Sequence, residues 1–161
     1  MLASMKIIKK TAVILLVVLI AMQFYRPEKN TAQGDHNVIF ITETNPPEDV
    51  KLILKNTCFD CHSNNTRYPW YNNIAPVSYW LANHVKHGKE ELNFSAWETY
   101  SSKKKSHKLE EVAEVIEGSE MPLKEYTWTH TYAKLTEDQK QLIIDWAKQS
   151  RALYQLNQLS Q

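Results

Sequence analysis

The chain has 161 residues, a formal net charge of +1 at pH 7 and 43% hydrophobic residues, which is the balance of one ordinary globular domain. This near-neutral charge lacks the basic excess that is typical of nucleic-acid-binding proteins. Two cysteines are too few for a disulfide framework or for a zinc site built from four thiolates, and three glycines leave no glycine-rich phosphate-binding loop.

The first 25 residues differ in character from the rest of the chain. The basic residues that precede an apolar run over residues 11–22 are Lys6, Lys9 and Lys10. A basic flank followed by a short apolar core is typical of a secretory signal or of an N-terminal anchor. No small-x-small cleavage site is evident around Ala21, so we predict a signal anchor that is retained as a transmembrane helix over residues 1–25. A cleaved signal is the alternative.

The lysines also predict how the chain is oriented. Positively charged residues near an apolar segment stay on the cytoplasmic side of the membrane. We therefore predict a single-pass protein of the inner membrane whose folded domain faces the periplasm. If the signal is cleaved instead, the same domain is expected as a soluble periplasmic form.

Residues 26–44 are predicted to be a linker between this segment and the folded domain. They are mostly polar and contain Pro27 and Gly34, which are typical of irregular backbone. The folded domain is then predicted over residues 45–161.

Four helices are predicted within the domain. Asn45 is the expected N-cap of the first helix, which runs into Cys58. The second is predicted over residues 76–91, and apolar residues at helical spacing indicate a third that ends near Gly118. A capping box at residues 136–139 opens the fourth. With no long alternating β-branched runs, this pattern predicts a small all-α domain.

The residues Cys58-Phe59-Asp60-Cys61-His62 match the CxxCH pattern of c-type haem attachment. Two thiols separated by two residues on a helical turn can each add to a vinyl group on one edge of the porphyrin. The histidine that follows can then place its imidazole against the iron as the proximal ligand. We therefore predict one covalent haem c, attached at Cys58 and Cys61 and ligated by His62.

Three other interpretations of the cysteine pair compete with haem attachment. A structural zinc site would need two further ligands such as His84 and His87, whose spacing on one helix fits zinc-finger patterns poorly. A thioredoxin-type redox pair is expected in a βαβ setting, which the pattern lacks. A disulfide between Cys58 and Cys61 would close a very small loop and add little stability.

Met121 is the predicted distal iron ligand. It is the only methionine outside the N-terminal segment, it precedes Pro122 in a loop, and Met/His ligation is an established haem pairing. The alternative is that it fills a gap in the core. The rival ligands are His84, His87, His107 and His130. The aromatic residues predicted to wall the haem pocket are Trp70, Tyr71 and Trp80.

Several stretches of the chain resemble the bacterial haem-binding domain proteins, which are small membrane-anchored relatives of c-type cytochromes. These stretches are QFYRPEKN, CFDCHSNNTRYPWYNNIAPVSYWLANHV, GKEELNFSAWETYS, KLEEVAEVIEGSEMPLKEYTW and the helix around QLIIDWAKQ. The resemblance implies a cytochrome-c-like helical domain around one haem, attached at Cys58 and Cys61. It also implies axial ligation by His62 and by Met121.

The function predicted from these features is electron transfer by a membrane-anchored periplasmic monohaem protein, with redox proteins as its partners. An enzymatic function is less favoured, because the sequence shows no acid–base pair for the distal side of the haem. The alternatives are a haem-based sensor of redox state or of a gas, and a peroxidase-like enzyme with an open sixth site. No nucleic-acid partner is expected.

Overall fold

The structure, a computed structural model, describes the backbone of residues 2–159 and the side chains of residues 5–156. Residue 1 of the predicted anchor and residues 160–161 of the predicted domain lie outside this range. Within it the chain is helical, and strand-like pairing is limited to one bridge between Thr31 and Asn65. The predicted all-α fold is confirmed.

The α-helices of the described residues are α1 (Leu2–Met22), α2 (Val38–Thr44), α3 (Glu48–Ile53), α4 (Phe59–His62), α5 (Val77–Glu91), α6 (Ser102–Glu117), α7 (Lys124–Thr129) and α8 (Glu137–Leu159). A π-helical segment, Leu54–Cys58, joins α3 to α4. Turns of 3₁₀ helix lie at Trp70–Asn73, Phe94–Thr99 and Thr131–Ala133. The long helices α6 and α8 pack against each other, and α3 packs against α8.

An aromatic cluster lies at the centre of the core. Phe40 of α2 is fully buried, and its ring centroid lies 4.4 Å from that of Phe94 and 5.0 Å from that of Trp97. Trp146 of α8 completes the cluster from the opposite side. Burial of each such side chain stabilises the fold by about 1.5–3 kcal/mol. Apolar packing therefore holds α2, the 3₁₀ turn Phe94–Thr99 and α8 together.

The four predicted helices of the domain are confirmed, apart from the start of the first, which runs into Cys58 as α3 and the π-helical segment. The second is α5, and the third is α6, which ends at Glu117 with Gly118 directly after it. The capping box is present in both directions, because the Gln139 N–H donates to Thr136 Oγ1 at 3.2 Å and the Thr136 N–H donates to Gln139 Oε1 at 3.0 Å. These elements carry strong local signals, and local hydrogen bonds form as the sequence predicts.

The structure differs from the sequence analysis at the predicted linker, residues 26–44. This stretch contains α2, whose Phe40 reaches the centre of the core. Asn45, the predicted N-cap, instead ends α2 with a left-handed φ of 38°, and α3 begins at Glu48. A helix as short as α2 is stabilised by tertiary packing rather than by its own helix propensity. Its local sequence therefore gives only a weak signal for a helix.

The apolar N-terminal run forms α1, and the three lysines lie within this helix. Among the residues that the structure describes, no helix combines the length and the apolar character that crossing a membrane requires. The predicted transmembrane helix is therefore not found. The physical reason is that the lysines leave α1 with an uncharged run of helix over residues 11–22 only, shorter than the ~20 residues that span a bilayer.

The residues after α1 contact the domain through hydrogen bonds. The side chain of Gln23 bonds both the N–H of Ala75, at 3.0 Å, and its carbonyl oxygen, at 3.1 Å. The hydroxyl of Tyr79 donates to the carbonyl oxygen of Tyr25 at 3.2 Å. The polar segment that follows then runs to Asn30, beside the cysteine-containing turn.

Candidate functional site

The two cysteines lie on one continuous stretch of helix. The π-helical segment ends at Cys58 and α4 begins at the next residue, so Cys61 follows within a turn. Both thiols are free and half-buried. Burial raises the pKa of Cys58 to about 12 and that of Cys61 to about 11, so both are protonated at neutral pH. The site therefore has two neighbouring reduced sulfur atoms and no disulfide.

His62 ends α4, and one hydrogen bond orients its ring. Nδ1 lies 3.0 Å from the carbonyl oxygen of Leu92, which can only accept, so we assign the ring proton to Nδ1. This tautomer leaves Nε2 with a free lone pair, which is the arrangement of metal-ligating histidines. Burial lowers the pKa of His62, although the hydrogen bond to Leu92 opposes that shift. The imidazole is therefore neutral at pH 7, the form that binds a metal.

α5 lies very close to the cysteine-containing turn at Gly88. A Cβ atom at this position would lie 2.8 Å from the carbonyl oxygen of Cys61 and 3.1 Å from its Cβ. Backbone atoms cannot move aside as the end of a flexible side chain can. The missing side chain thus lets α5 rest against α4, and the carbonyl of Leu92, four residues further on, reaches His62.

The loop that follows the histidine, residues 63–66, is held by a side chain from the predicted linker. The Nδ2 group of Asn30 donates to the carbonyl oxygen of Ser63 at 2.8 Å and to Thr66 Oγ1 at 2.9 Å. Lys89 Nζ of α5 in turn donates to Oδ1 of Asn30 at 2.7 Å. Residues far apart in sequence therefore fix the backbone on the C-terminal side of His62.

Asp60, between the two cysteines, is buried, and both of its carboxylate oxygens accept hydrogen bonds. Its Oδ1 accepts from Arg67 Nε at 2.9 Å, and its Oδ2 accepts from Arg67 Nη2 at 3.0 Å and from the Tyr126 hydroxyl at 2.8 Å. The hydrogen bonds to Asp60 raise the pKa of Arg67. Burial and the neighbouring carboxylate raise the pKa of Tyr126 well above its usual range, so its hydroxyl remains a donor.

The three aromatic residues predicted to wall a pocket have different environments. Trp70 is 77% exposed and Trp80 is 44% exposed, with the ring of Trp80 against that of His84. Tyr71 is half-buried, and its hydroxyl lies 2.9 Å from Thr129 Oγ1. Contact of these residues with a bound group stays a prediction.

Met121 lies in the loop between α6 and α7. It is half-buried against the hydrophobic core, which Cys58 and Phe59 also contact. Its backbone N–H donates to the carbonyl oxygen of Val115 at 3.2 Å, which ties the loop to the last turns of α6. Met121 and the cysteine-containing turn thus pack on the same core, and distal ligation by Met121 stays a prediction.

The rival histidines are dispersed. His84 and His87 lie on α5, and His107 lies on α6, where it pairs with a glutamate. His130 is buried, with its ring stacked 4.2 Å from that of Tyr126. Among the side chains that the structure describes, no three His, Cys, Asp or Glu residues come together as metal ligands. The four ligands of the zinc alternative are therefore not gathered.

Sequence reasoning missed four residues of the site: Asn30, Asp60, Gly88 and Leu92. Asp60 carried a signal, because a carboxylate that stands between two cysteines predicted to attach a haem is expected near the apolar core and so needs a partner. The other three act through backbone contacts between segments that are far apart in the chain. No pattern within a single stretch of sequence could identify them.

Comparison with known proteins gives one positive result. The model of a family described as haem-binding domain matches residues 17–149 of the chain. The matched range includes the CxxCH residues and Met121. No curated protein and no solved structure matches.

Proposed function

The chain belongs to the haem-binding domain family, and we propose that it is a c-type haem protein that transfers single electrons. In this proposal Cys58 and Cys61 attach the haem covalently. His62 supplies the proximal iron ligand and Met121 supplies the distal one. Redox proteins donate and accept the electron.

The observation that carries the proposal is the orientation of His62. The hydrogen bond from Nδ1 to the carbonyl oxygen of Leu92 fixes the ring and leaves Nε2 available to iron. The sulfur atoms of Cys58 and Cys61 precede it on the same stretch of helix and are free to form thioether bonds. These donors fit a haem attached through its vinyl groups.

A bound haem supplies a one-electron centre, whose potential depends on the axial ligands, the burial and the hydrogen bonds of the protein. Here the protein contributes the two sulfur atoms, an oriented imidazole and an apolar core beside them. A methionine sulfur as the second axial ligand favours reduced iron. A site closed on both sides suits electron transfer better than catalysis, which needs an open position.

We also propose that the haem domain acts on the periplasmic side of the inner membrane. Covalent haem attachment requires export, and the basic and apolar N-terminal segment supports it. Cell fractionation of the full chain, followed by protease treatment of spheroplasts, tests this proposal. Protection of the C-terminal domain from external protease would contradict it. The size of the mature chain shows whether the N-terminal segment is cleaved.

Covalent attachment is tested with protein that has been matured by a cytochrome c assembly system. After denaturation and electrophoresis, the haem stain should remain with the unaltered chain and should be lost from the double variant Cys58→Ala, Cys61→Ala. Each single variant should retain one thioether bond, which the spectrum of the pyridine complex distinguishes from two. Loss of haem from the unaltered chain on denaturation would overturn the proposal.

Distal ligation is tested with Met121→Ala. The oxidised unaltered protein should show the weak sulfur-to-iron charge-transfer band, and the variant should lose it, bind carbon monoxide when reduced and have a lower reduction potential. His107→Ala serves as a control, because this histidine is exposed and paired with Glu111. An unaltered protein that already binds carbon monoxide has an open sixth site, which would favour the sensor or peroxidase-like alternatives.

A further inference from the structure

The short helix α7 follows the Met121 loop directly, and the core does not hold it. None of the side chains of α7 is buried, in contrast to those of α6, which precedes the loop. The fully buried core therefore does not fix where α7 lies. Instead α7 is held by the stacking of Tyr126 on His130 and by hydrogen bonds of Tyr126 and Thr129 to other parts of the chain.

One of these hydrogen bonds reaches the cysteine-containing turn. The hydroxyl of Tyr126, on α7, donates to Oδ2 of Asp60 at 2.8 Å. Asp60 is 4% exposed, so this bond lies away from solvent, where hydrogen bonds to a carboxylate are strongest. Only four residues separate Met121 from Tyr126, so the bond limits how far the methionine can move from the turn.

The acceptor is itself held by several hydrogen bonds. Both oxygen atoms of Asp60 bond Arg67, whose Nη2 also donates to the carbonyl oxygens of Lys55 and Asn56 at 3.1 and 3.2 Å. These carbonyls belong to the π-helical segment that leads into Cys58. Tyr126 is therefore attached to a rigid part of the motif.

The other end of the Met121 loop is fixed separately. The N–H groups of Glu120 and Met121 both donate to the carbonyl oxygen of Val115, at 2.9 and 3.2 Å. The two ends of the loop are thus held by α6, which packs in the core, and by α7, which is hydrogen-bonded to Asp60. Release of either end would let the methionine side chain leave its place.

We propose that the hydrogen bond from Tyr126 to Asp60 positions Met121 as the sixth ligand, so that Tyr126 and Asp60 are positioning residues for the iron site. This inference rests on the proposed ligation by Met121. It gives Asp60, which lies between the two cysteines, a role in holding Met121, the proposed ligand on the other side of the iron from His62.

The chain contains a matched control for this contact. The hydroxyl of Tyr154 donates to Glu43 Oε2 at 2.8 Å, and Glu43 is paired with Lys105 much as Asp60 is paired with Arg67. This second tyrosine–carboxylate bond joins α8 to α2, away from the Met121 loop. Tyr154→Phe therefore removes the same kind of hydrogen bond without releasing α7, and it also removes the bond that Trp97 Nε1 donates to the Tyr154 hydroxyl at 3.1 Å.

The experiment uses haem-loaded protein with Tyr126→Phe or Tyr154→Phe. Loss of a hydrogen bond to a carboxylate should raise the fraction of Tyr126→Phe molecules whose methionine is off the iron by roughly tenfold, which corresponds to about 1.4 kcal/mol. The charge-transfer band of the oxidised protein should weaken at a lower denaturant concentration, and carbon monoxide should bind faster to the reduced protein. Tyr154→Phe should leave both readouts unchanged at equal folded fraction.

Three results would overturn the inference, and they have different meanings. If the unaltered protein shows the band and Tyr126→Phe retains it with unchanged carbon monoxide binding, the positioning role is wrong while the proposed ligation stands. If Tyr154→Phe affects the band as much as Tyr126→Phe, the effect is general destabilisation. If the unaltered protein lacks the band, Met121 is not the ligand and both proposals fail together. If Tyr126→Phe folds poorly, Asp60→Asn serves as a second variant, because its amide oxygen can still accept the hydrogen bond from Tyr126. The charge-transfer band should then weaken less in Asp60→Asn than in Tyr126→Phe.

Discussion

The two tyrosine–carboxylate clusters of this molecule have the same chemistry and different surroundings. Around Glu43, Lys105 Nζ lies 2.6 Å away and the elements that meet there carry the buried core residues Phe40 and Trp97. Around Asp60, the hydrogen-bonded partner is Tyr126, on a helix that buries no side chain. The first cluster adds a polar contact to a region that apolar packing already holds.

The two regions contribute to different properties of the protein, one to its stability and the other to the geometry of the site. The contacts between α2, α6 and α8 set the overall stability, because they remove large apolar side chains from water. The contacts of Asp60, Gly88 and Asn30 set the geometry of the CxxCH turn, because hydrogen bonds and close backbone approach have directional requirements. Substitutions in the two regions should therefore have separable effects.

The largest effect is expected from Trp97→Ala, which removes a side chain that is 1% exposed from the aromatic cluster. We expect a loss of about 3–5 kcal/mol in the free energy of unfolding, because the change leaves a cavity in the core. Urea unfolding of the haem-loaded protein, followed by circular dichroism, measures this loss. Trp128→Ala, at a residue that is 75% exposed, should change it by less than about 0.5 kcal/mol. Equal effects of the two substitutions would contradict the position of the core.

Asp60→Ala should be next in size. It leaves Tyr126 without its acceptor and Arg67 without its carboxylate, at an expected cost of about 2–3 kcal/mol. Arg67 is half-exposed and can regain water, which keeps the cost below that of a fully buried pair. Urea unfolding of Asp60→Ala and of the unaltered haem-loaded protein measures this loss. A loss below about 0.5 kcal/mol would show that the Asp60 cluster contributes little to folding.

Gly88→Ala should have a smaller effect on stability and a larger one on the site. The added methyl group would meet the carbonyl oxygen of Cys61 at 2.8 Å, so α4 and α5 must separate, at about 1–3 kcal/mol. The yield of covalent haem per chain should fall, as measured by haem stain against total protein. Gly118→Ala is the control, since the contact that its Cβ would make, at 3.3 Å, is less severe. A normal haem yield in Gly88→Ala would show that close approach of α5 is dispensable.

The smallest effect is a pH dependence that belongs to the Glu43 cluster. Burial alone would raise the pKa of Glu43, but hydrogen bonds from Lys105 and Tyr154 lower it below the ordinary value of 4.5. A lowered pKa in the folded state means that the contribution to stability is complete above about pH 4.5 and is lost as the pH falls through the folded value. Glu43→Gln should therefore lose less thermal stability than the unaltered chain between pH 6 and pH 3. Parallel melting curves over this range would contradict the assignment.

Strong local signals made part of the molecule predictable from sequence. The helix after Thr136 was predicted because its capping box uses hydrogen bonds within four residues, and α5 because its apolar residues recur at helical spacing. The CxxCH residues were recognised because their spacing is itself the chemical requirement for attachment. In contrast, the local sequence predicts a linker where α2 lies, and the transmembrane helix predicted over residues 1–25 is not found among the described helices.

The sequence by itself therefore determined the all-α class, the four domain helices apart from the N-cap of the first, and the residues that could attach a haem. The tertiary structure alone decided that Leu92 orients His62, that Gly88 admits α5 and that Tyr126 reaches Asp60. Helical periodicity and capping arise between residues that are close in the chain, so a single stretch of sequence reveals them. Contacts across 30 or 66 residues form only when the core has brought distant segments together, so they can be read only from the folded chain.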